Sequence, residues 1–565
     1  MLISRPALLA ASLTLALTLP SCGGSDNHRP AATSTPTATR TAAATATATA
    51  VSSATDTANP TASHTASLTP SSTPTASPTP TENLLRLPAL HAEPDAAAGG
   101  RIVDTEGRHV LLRGVNVNAL AEYWQGGEFP TVFPVTAADA DLMASIGWNA
   151  VRLLLSWSRV EPQPGVYDDA YLEQAVAAVR LLASRGLYAI IDLHQDAWGP
   201  TLAARLDETC MERFAPALGW DGAPGWATID DGKPHCAQAG VRELSPAVLA
   251  AFANFFENET GPGDIGILDR YAAMLGHVAR ALSAEPGVAG YDLMNEPNAF
   301  FPEQQAALSD LYAKAVQVIR AAETAAGSPP RLILFEPSAL WSLLGNGAPP
   351  DFARDRDVVY APHIYTGGFD GKPITAAAFA VARDEAAGFG GAPVLSGEWG
   401  ADPRRASDAA DTYFLDHQNL QDQFLFSATL WTWRESCGDP HKQADYRAGR
   451  VPYVWGEFEV DCTNNAVTGL RRDLLNQLTR AYVRAAPGTL LETRYDSATG
   501  VFSARGAGAT AGSELLAFYP GSRHGEPTLT TSGLEDIRIT LATGDNLYIS
   551  GRATGGDWSL KTPEP

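Results

Sequence analysis

The chain has 565 residues, with 40 Lys and Arg against 63 Asp and Glu, a formal net charge of −23. That balance speaks against nucleic acid and against an anionic membrane surface, both of which are bound through Lys and Arg, and it suits a neutral partner such as a sugar. With 45% hydrophobic and 8% aromatic residues there is ample material for a core, and the length predicts one large domain with a smaller companion.

Met1–Ser21 carries one basic residue, Arg5, ahead of an apolar run, Ala7–Leu19, that is too short to span a bilayer. It closes on Leu19-Pro20-Ser21-Cys22-Gly23, which resembles a bacterial lipoprotein signal over residues 1–22 with Cys22 as the lipidated residue. An ordinary secretory signal is the alternative, since Pro20 is unusual in that motif. Both readings predict export, with the lipoprotein held at a membrane or cell surface. Residues 23–86 are nearly all Thr, Ala, Ser and Pro, too poor in large apolar side chains to offset the entropy of ordering, so they are expected to be a disordered linker.

Residues 87–486 alternate β-like and helix-like segments. Short apolar runs recur at Leu111–Asn118, Ala150–Trp157, Tyr188–His194, Gly287–Glu296, Arg331–Ser338, Val358–Tyr365, Pro393–Gly400 and Phe424–Trp433. Between the second and third, Tyr171, Leu172, Ala175, Val176, Val179, Leu182 and Ala183 follow helical spacing, with Asp168 and Asp169 as capping candidates and Gly186 as the stop. Eight such strands alternating with helices predict an α/β fold, a (β/α)8 TIM barrel. An open doubly wound sheet competes, but no Gly-rich phosphate turn follows the first strand. Residues 487–565 change to short β-like runs separated by Gly, Asp and Ser, which predicts a small C-terminal β-sandwich domain.

Four cysteines besides Cys22 fall in two near pairs, Cys210 with Cys236 and Cys437 with Cys462, and none has the C-x-x-C spacing of zinc or redox sites. In an oxidising compartment pairing of near neighbours is the simplest arrangement, worth about 3 kcal/mol per loop, with crossed pairing left open. The first pair lies in a long stretch, Ala197–Gly263, rich in aromatics such as Trp198, Trp220, Phe252 and Phe255. These form either the loop's own small core or an apolar groove for an acceptor.

The active site of such a barrel lies at the C-terminal ends of its strands. There this sequence places Asn116, Asn118, Arg152, Trp157, His194, Asp196, Asn295, Glu296, Glu336, His363, Tyr365, Glu398 and Trp431. Asn295-Glu296-Pro297 ends the fourth strand and Gly397-Glu398-Trp399-Gly400 the seventh. Cleaving a glycosidic bond takes two carboxyl groups flanking it, one protonated and one ionised, and at about 5–5.5 Å the ionised one attacks the anomeric carbon. Arg152, His363 and Tyr365 are placed to lower the pKa of Glu398. A metal is not expected, since His194 and Asp196 find no third ligand of persuasive spacing, and nothing predicts a nucleotide or redox cofactor.

The motifs LRGVNVN (112–118), GWNAVRLLLSWSRVEPQPGVYDDAYL (147–172), IDLHQD (191–196), GAPGWATIDDG (222–232), AFANFF (251–256), YDLMNEP (291–297), APHIY (361–365) and LSGEWGAD (395–402) resemble glycoside hydrolase family 5, and within it the endoglycosylceramidase branch. The resemblance covers roughly residues 100–480. It implies a retaining hydrolase acting between oligosaccharide and ceramide, with Glu296 as acid/base and Glu398 as nucleophile. It carries over Arg152, His194, Asn295, His363, Tyr365 and Trp431 as site residues, Trp431 as a platform for a sugar ring, and Asp196 as a contact to the sugar next to the lipid. The partners implied are a glycolipid or oligosaccharide and, through Cys22, a membrane; the chain is expected to be a monomer. Other family 5 activities, on glucans or on a different lipid aglycone, and a surface carbohydrate-binding protein are the alternatives. Residues 119–135 and the Cys437–Cys462 segment do not match the family pattern.

Overall fold

The computed structural model describes residues 85–563, apart from 206, 239, 240 and 448. The predicted signal, Cys22 and nearly all of the predicted linker lie outside the described residues. Among those described, no helix is long and apolar enough to cross a membrane.

Eight parallel strands form the barrel: Arg113–Leu120, Ala150–Ser156, Tyr188–His194, Val288–Asp292, Leu332–Phe335, Val358–Tyr360, Leu395–Trp399 and Ser427–Leu430. They follow one another in chain order around the sheet, and a parallel bridge between Tyr360 and Val394 joins the sixth to the seventh. Each coincides with one of the eight predicted runs. The second and third strands are buried along their whole length, because helices cover the outside of a parallel sheet while side chains fill its inside.

The helix after the second strand spans Asp169–Ala183. The Asp168 side chain accepts from the Tyr171 N–H at 2.9 Å, satisfying one of the free amides of the first turn. Tyr171, Leu172, Ala175, Ala178, Val179 and Leu182 are buried, which turns one face onto the barrel.

The aromatics of the long third loop resolve into a core. The Trp198 ring meets Trp157, Phe252 and Phe255 edge-on at centroid distances of 6.3, 5.1 and 5.2 Å, and Tyr271 closes the cluster. Trp198, Phe252 and Phe255 are buried, so they offer no open groove. Cys210 pairs with Cys236 and Cys437 with Cys462, the near-neighbour arrangement, with Cα–Cα distances of 5.8 and 5.4 Å.

The β-rich part extends beyond the expected 487–565 boundary. Its larger sheet runs Leu90–Glu93, Arg101–Asp104, Arg108–Val110, Tyr482–Pro487, Glu514–Tyr519, Leu547–Ala553 and Leu534–Leu541. Three strands from the start of the folded chain thus join a sheet made otherwise from its end. Val110 sits opposite Ala485 and covers what would otherwise be an open edge of the strand Tyr482–Pro487. A second sheet orders Thr489–Tyr495, Phe502–Ala509, Gly556–Lys561 and Thr530–Ser532.

One apolar cluster joins the two sheets, through Phe518, Ile549 and Trp558, to Ala150, Ile190 and Leu334 of the barrel. Polar contacts mark the same junction: the Tyr482 hydroxyl donates to the Gly147 carbonyl and Arg484 to that of Gly186, just ahead of the second and third strands. The sandwich therefore seals the N-terminal end of the barrel, away from the strand ends that carry the polar residues.

Candidate active site

Arg152, on the second strand and fully buried, organises the mouth. Its Nε donates to Asp292 at 2.9 Å, Nη1 to Asn116 and Glu398 at 3.0 Å each, and Nη2 to Asn295 at 3.0 Å and Glu336 at 2.8 Å, with Asp192 2.9 Å away. A planar guanidinium has the fixed fork of donors that can tie five other strands at once; a lysine ammonium does not.

His363 stands between the two glutamates. Its Nδ1 is 2.9 Å from Glu296 Oε1 and 3.6 Å from Glu398 Oε2, and its Nε2 is 3.1 Å from Glu336. The near atoms of Glu296, His363 and Glu398 all lie within 4.8 Å of one another. Gly397 permits this approach, since a Cβ there would sit 2.8 Å from His363 Nε2. The Tyr365 hydroxyl donates to Glu398 Oε2 at 2.9 Å, and the Ser342 hydroxyl to Glu296 Oε1 at 2.9 Å. Glu296 has φ +37°, an unfavourable region for a side-chain-bearing residue, and its N–H donates to Glu336 Oε2 at 2.8 Å.

Burial pushes the Glu398 carboxyl above its ordinary pKa; His363 and Arg152 pull it down, and Glu296 pushes it up. The expected lowering by its neighbours is present but smaller than the cost of removing the charge from water. Burial also opposes charge on His363, yet Glu336 and Glu398 beside it hold the imidazole well above its usual range. Burial raises Glu336 to about 8, against the pull of His363, with Asp292 adding to the rise.

The remaining predicted residues converge on the same mouth. The Asn295 Nδ2 donates to the Gln195 carbonyl at 3.0 Å, which leaves one amide hydrogen unspent. His194 holds Asp192 through Nδ1 at 2.7 Å and stacks on the Trp431 ring at 5.5 Å. Asp196 accepts from Arg242 at 3.0 Å and lies 3.6 Å from His194 Nε2. Sequence reasoning placed Glu336 at a strand end without a role, and the signal for it was there. Asp192 and Asp292, acidic residues inside apolar strands, were a further legible sign. Ser342, Asp221 and Arg242 come from loops with no local signal. Asp221 also supplies the third group beside His194 and Asp196 that the spacing did not reveal, their near atoms within 4.8 Å of one another.

A (β/α)8 barrel whose fourth and seventh strands end in two facing carboxylates, with an arginine and a histidine between them, carries the site of a glycoside hydrolase. The chain belongs to glycosyl hydrolase family 5: residues 103–436 match that family's cellulase model. It is similar to the solved structure of an endogalactoceramidase, with 35% identity and a TM-score of 0.73 over 84% of this chain and 100% of that one. Endoglycoceramidase I of Rhodococcus hoagii is 31% identical over 283 residues, 48% of this chain and 52% of the relative. An endoglycoceramidase of Cyanea nozakii is 26% identical over 222 residues, 35% of this chain and 40% of the relative. The chain thus spans about half or less of the length of these curated relatives.

Proposed function

We propose that the protein is a retaining endo-β-glycosidase that hydrolyses the linkage between oligosaccharide and ceramide in glycosphingolipids. The observation that carries the reaction type is the approach of the near carboxyl oxygens of Glu296 and Glu398 to within 4.8 Å, with the His363 Nδ1 touching both groups. Inversion needs carboxyl groups about 6.5–9.5 Å apart, to leave room for water, whereas retention works at about 5–5.5 Å. Glu398 attacks the anomeric carbon while Glu296 gives its proton to the leaving oxygen; Glu296 then takes a proton from the water that releases the sugar. Arg152 and Tyr365 hold the nucleophile. Asn295, His194 and Asp196 contact the sugar, and Trp431 carries its ring.

The aglycone assignment is supported by the relatives named for ceramide substrates and by exposed apolar side chains close in sequence to Glu296 and to its partner Ser342. Phe301, just beyond Glu296, is 37% exposed, and Leu344, two residues from Ser342, is 60% exposed. An exported monomer anchored through Cys22 fits a substrate that resides in a membrane. The test incubates the protein with a neutral glycosphingolipid in detergent, and in parallel with cello-oligosaccharides, followed by mass spectrometry. Intact oligosaccharide and free ceramide, absent with Glu398→Gln, are expected. Cleavage confined to cello-oligosaccharides would overturn the glycolipid assignment.

A further inference from the structure

The eighth strand runs into the segment closed by Cys437 and Cys462, beyond the stretch that matches the family model. This segment packs on the loop after the first strand. Ser436 donates to the Pro130 carbonyl, Phe129 packs against Cys437 and Cys462, and a Cβ on Gly438 would overlap the Phe129 carbonyl oxygen at 2.3 Å. The packing sets His441 against Trp220 of the third loop at a centroid distance of 3.8 Å. The same ring lies 6.2 Å from Trp431 and 6.4 Å from Tyr123. Asp439 holds the His441 ring through Nδ1.

This corner gathers buried polar atoms that lack hydrogen-bond partners among the described residues: the Trp220 Nε1–H, Asp221 Oδ1 and Asp439 Oδ2, with the Tyr123 hydroxyl beside them. Asp221 and Asp439 are 0% exposed. Deeper in the mouth, Asp192 Oδ1 and His363 Nε2 also lack a hydrogen bond but have an ion-pair partner in Arg152 and Glu336; native proteins rarely leave several orphans in one place. The set is mixed. A metal ion would satisfy the carboxylate oxygens and leave the indole N–H unpaired, and an anion would do the reverse. A vicinal diol satisfies both kinds, because each hydroxyl donates and accepts.

We infer that Tyr123, Trp220, Asp221 and Asp439 form a subsite for hydroxyl groups of the glycan, on the side of the reaction centre opposite the leaving group. The side follows from the placement of Glu296, whose Oε1 meets Ser342 of the fifth-strand loop, whereas this corner is built from the loops of the first, third and eighth strands. The inference rests on the glycosidase reading above and not on ceramide as the aglycone. It gives the segment that departs from the family pattern, through Asp439, a part in recognising the glycan.

The test is calorimetric titration of the full chain carrying Glu398→Gln, which prevents turnover, with lactose, cellobiose and their monodeoxy analogues, and separately with Ca2+ and Zn2+. The comparison adds Asp439→Ala or, as the milder change, Trp220→Phe, which removes the indole N–H and keeps an aromatic ring. Each is expected to weaken disaccharide binding roughly tenfold or more, the scale of a hydrogen bond to a buried or charged partner. At least one monodeoxy analogue should bind weakly to the reference protein and lose nothing further in the Asp439→Ala protein. Unchanged affinities in both variants, deoxy penalties that persist undiminished in Asp439→Ala, or no binding of either disaccharide would overturn the inference. So would stoichiometric binding of Ca2+ or Zn2+ that Asp439→Ala abolishes. Sugar binding that depends on Asp439, together with no hydrolysis of glycosphingolipid, would keep this subsite and remove the ceramide assignment alone.

Discussion

The two ends of the barrel are built by opposite rules. At the C-terminal end every strand but one delivers a polar side chain, Arg152 joins four carboxylates, and the backbone at Glu296, Ala197 and Trp198 takes positive φ. At the N-terminal end the same strands contribute Ala150, Ile190 and Leu334 to an apolar cluster shared with the sandwich. The third strand shows the change within seven residues, from Tyr188 against the sandwich to His194 stacked on Trp431. Strain and buried charge are costly, and here they are concentrated where chemistry needs fixed dipoles, while burial of apolar surface at the far end offsets them.

The largest expected effect tests the separation directly. Glu398→Gln should lower kcat by about ten-thousand-fold, on the scale known for removing a nucleophile or its activating group, with a melting temperature close to that of the parent. A large fall in melting temperature would show that the mouth also carries the fold. Arg152→Met is the expected exception: it takes from Asp192, Asp292, Glu336 and Glu398 the guanidinium they share, so about 3–5 kcal/mol of stability should go along with activity in denaturant titrations. Arg152→Lys should recover only part of this, having no fork to offer.

Trp558→Ala, in the sandwich core, should likewise cost about 3–5 kcal/mol, yet leave kcat within twofold at temperatures where the protein stays folded. A loss of kcat there would break the comparison by coupling the two ends. Replacing Cys437 and Cys462 by Ala should cost about 3 kcal/mol. Because that bridge borders the mouth, glycan affinity should fall with stability, whereas loss of the Cys210–Cys236 bridge should leave it less changed.

The smallest effect concerns Glu457, buried with neither carboxylate oxygen hydrogen-bonded. Burial raises its pKa to about 8, against a partial pull from Arg471. The folded state keeps the proton that the unfolded state releases near pH 4.5, so the contribution to stability is full below that pH and is lost as pH rises through 8. Glu457→Gln should therefore raise the melting temperature at pH 8–9 and change it little at pH 4.

The eight strands, the capped helix after the second, the near-neighbour disulfides and the pair Glu296 and Glu398 were legible in the sequence. Each rests on local information: apolar runs, helical spacing, short cysteine separations, and polar residues set at the ends of apolar runs. Three things were decided only by tertiary structure. Strands Leu90–Val110 joined a sheet from the far end of the chain, because strand edges pair by proximity in space and their sequence says nothing of the partner. Burial, which no local pattern reports, outweighed the cations around Glu398. Asp221 and Arg242 reached the mouth from the third loop, Ser342 from the fifth and Asp439 from the eighth, and loops meet only once the barrel has closed. Periodicity specifies which faces turn inward; which side chains then share a cavity depends on contacts between distant residues, and these arise only on folding.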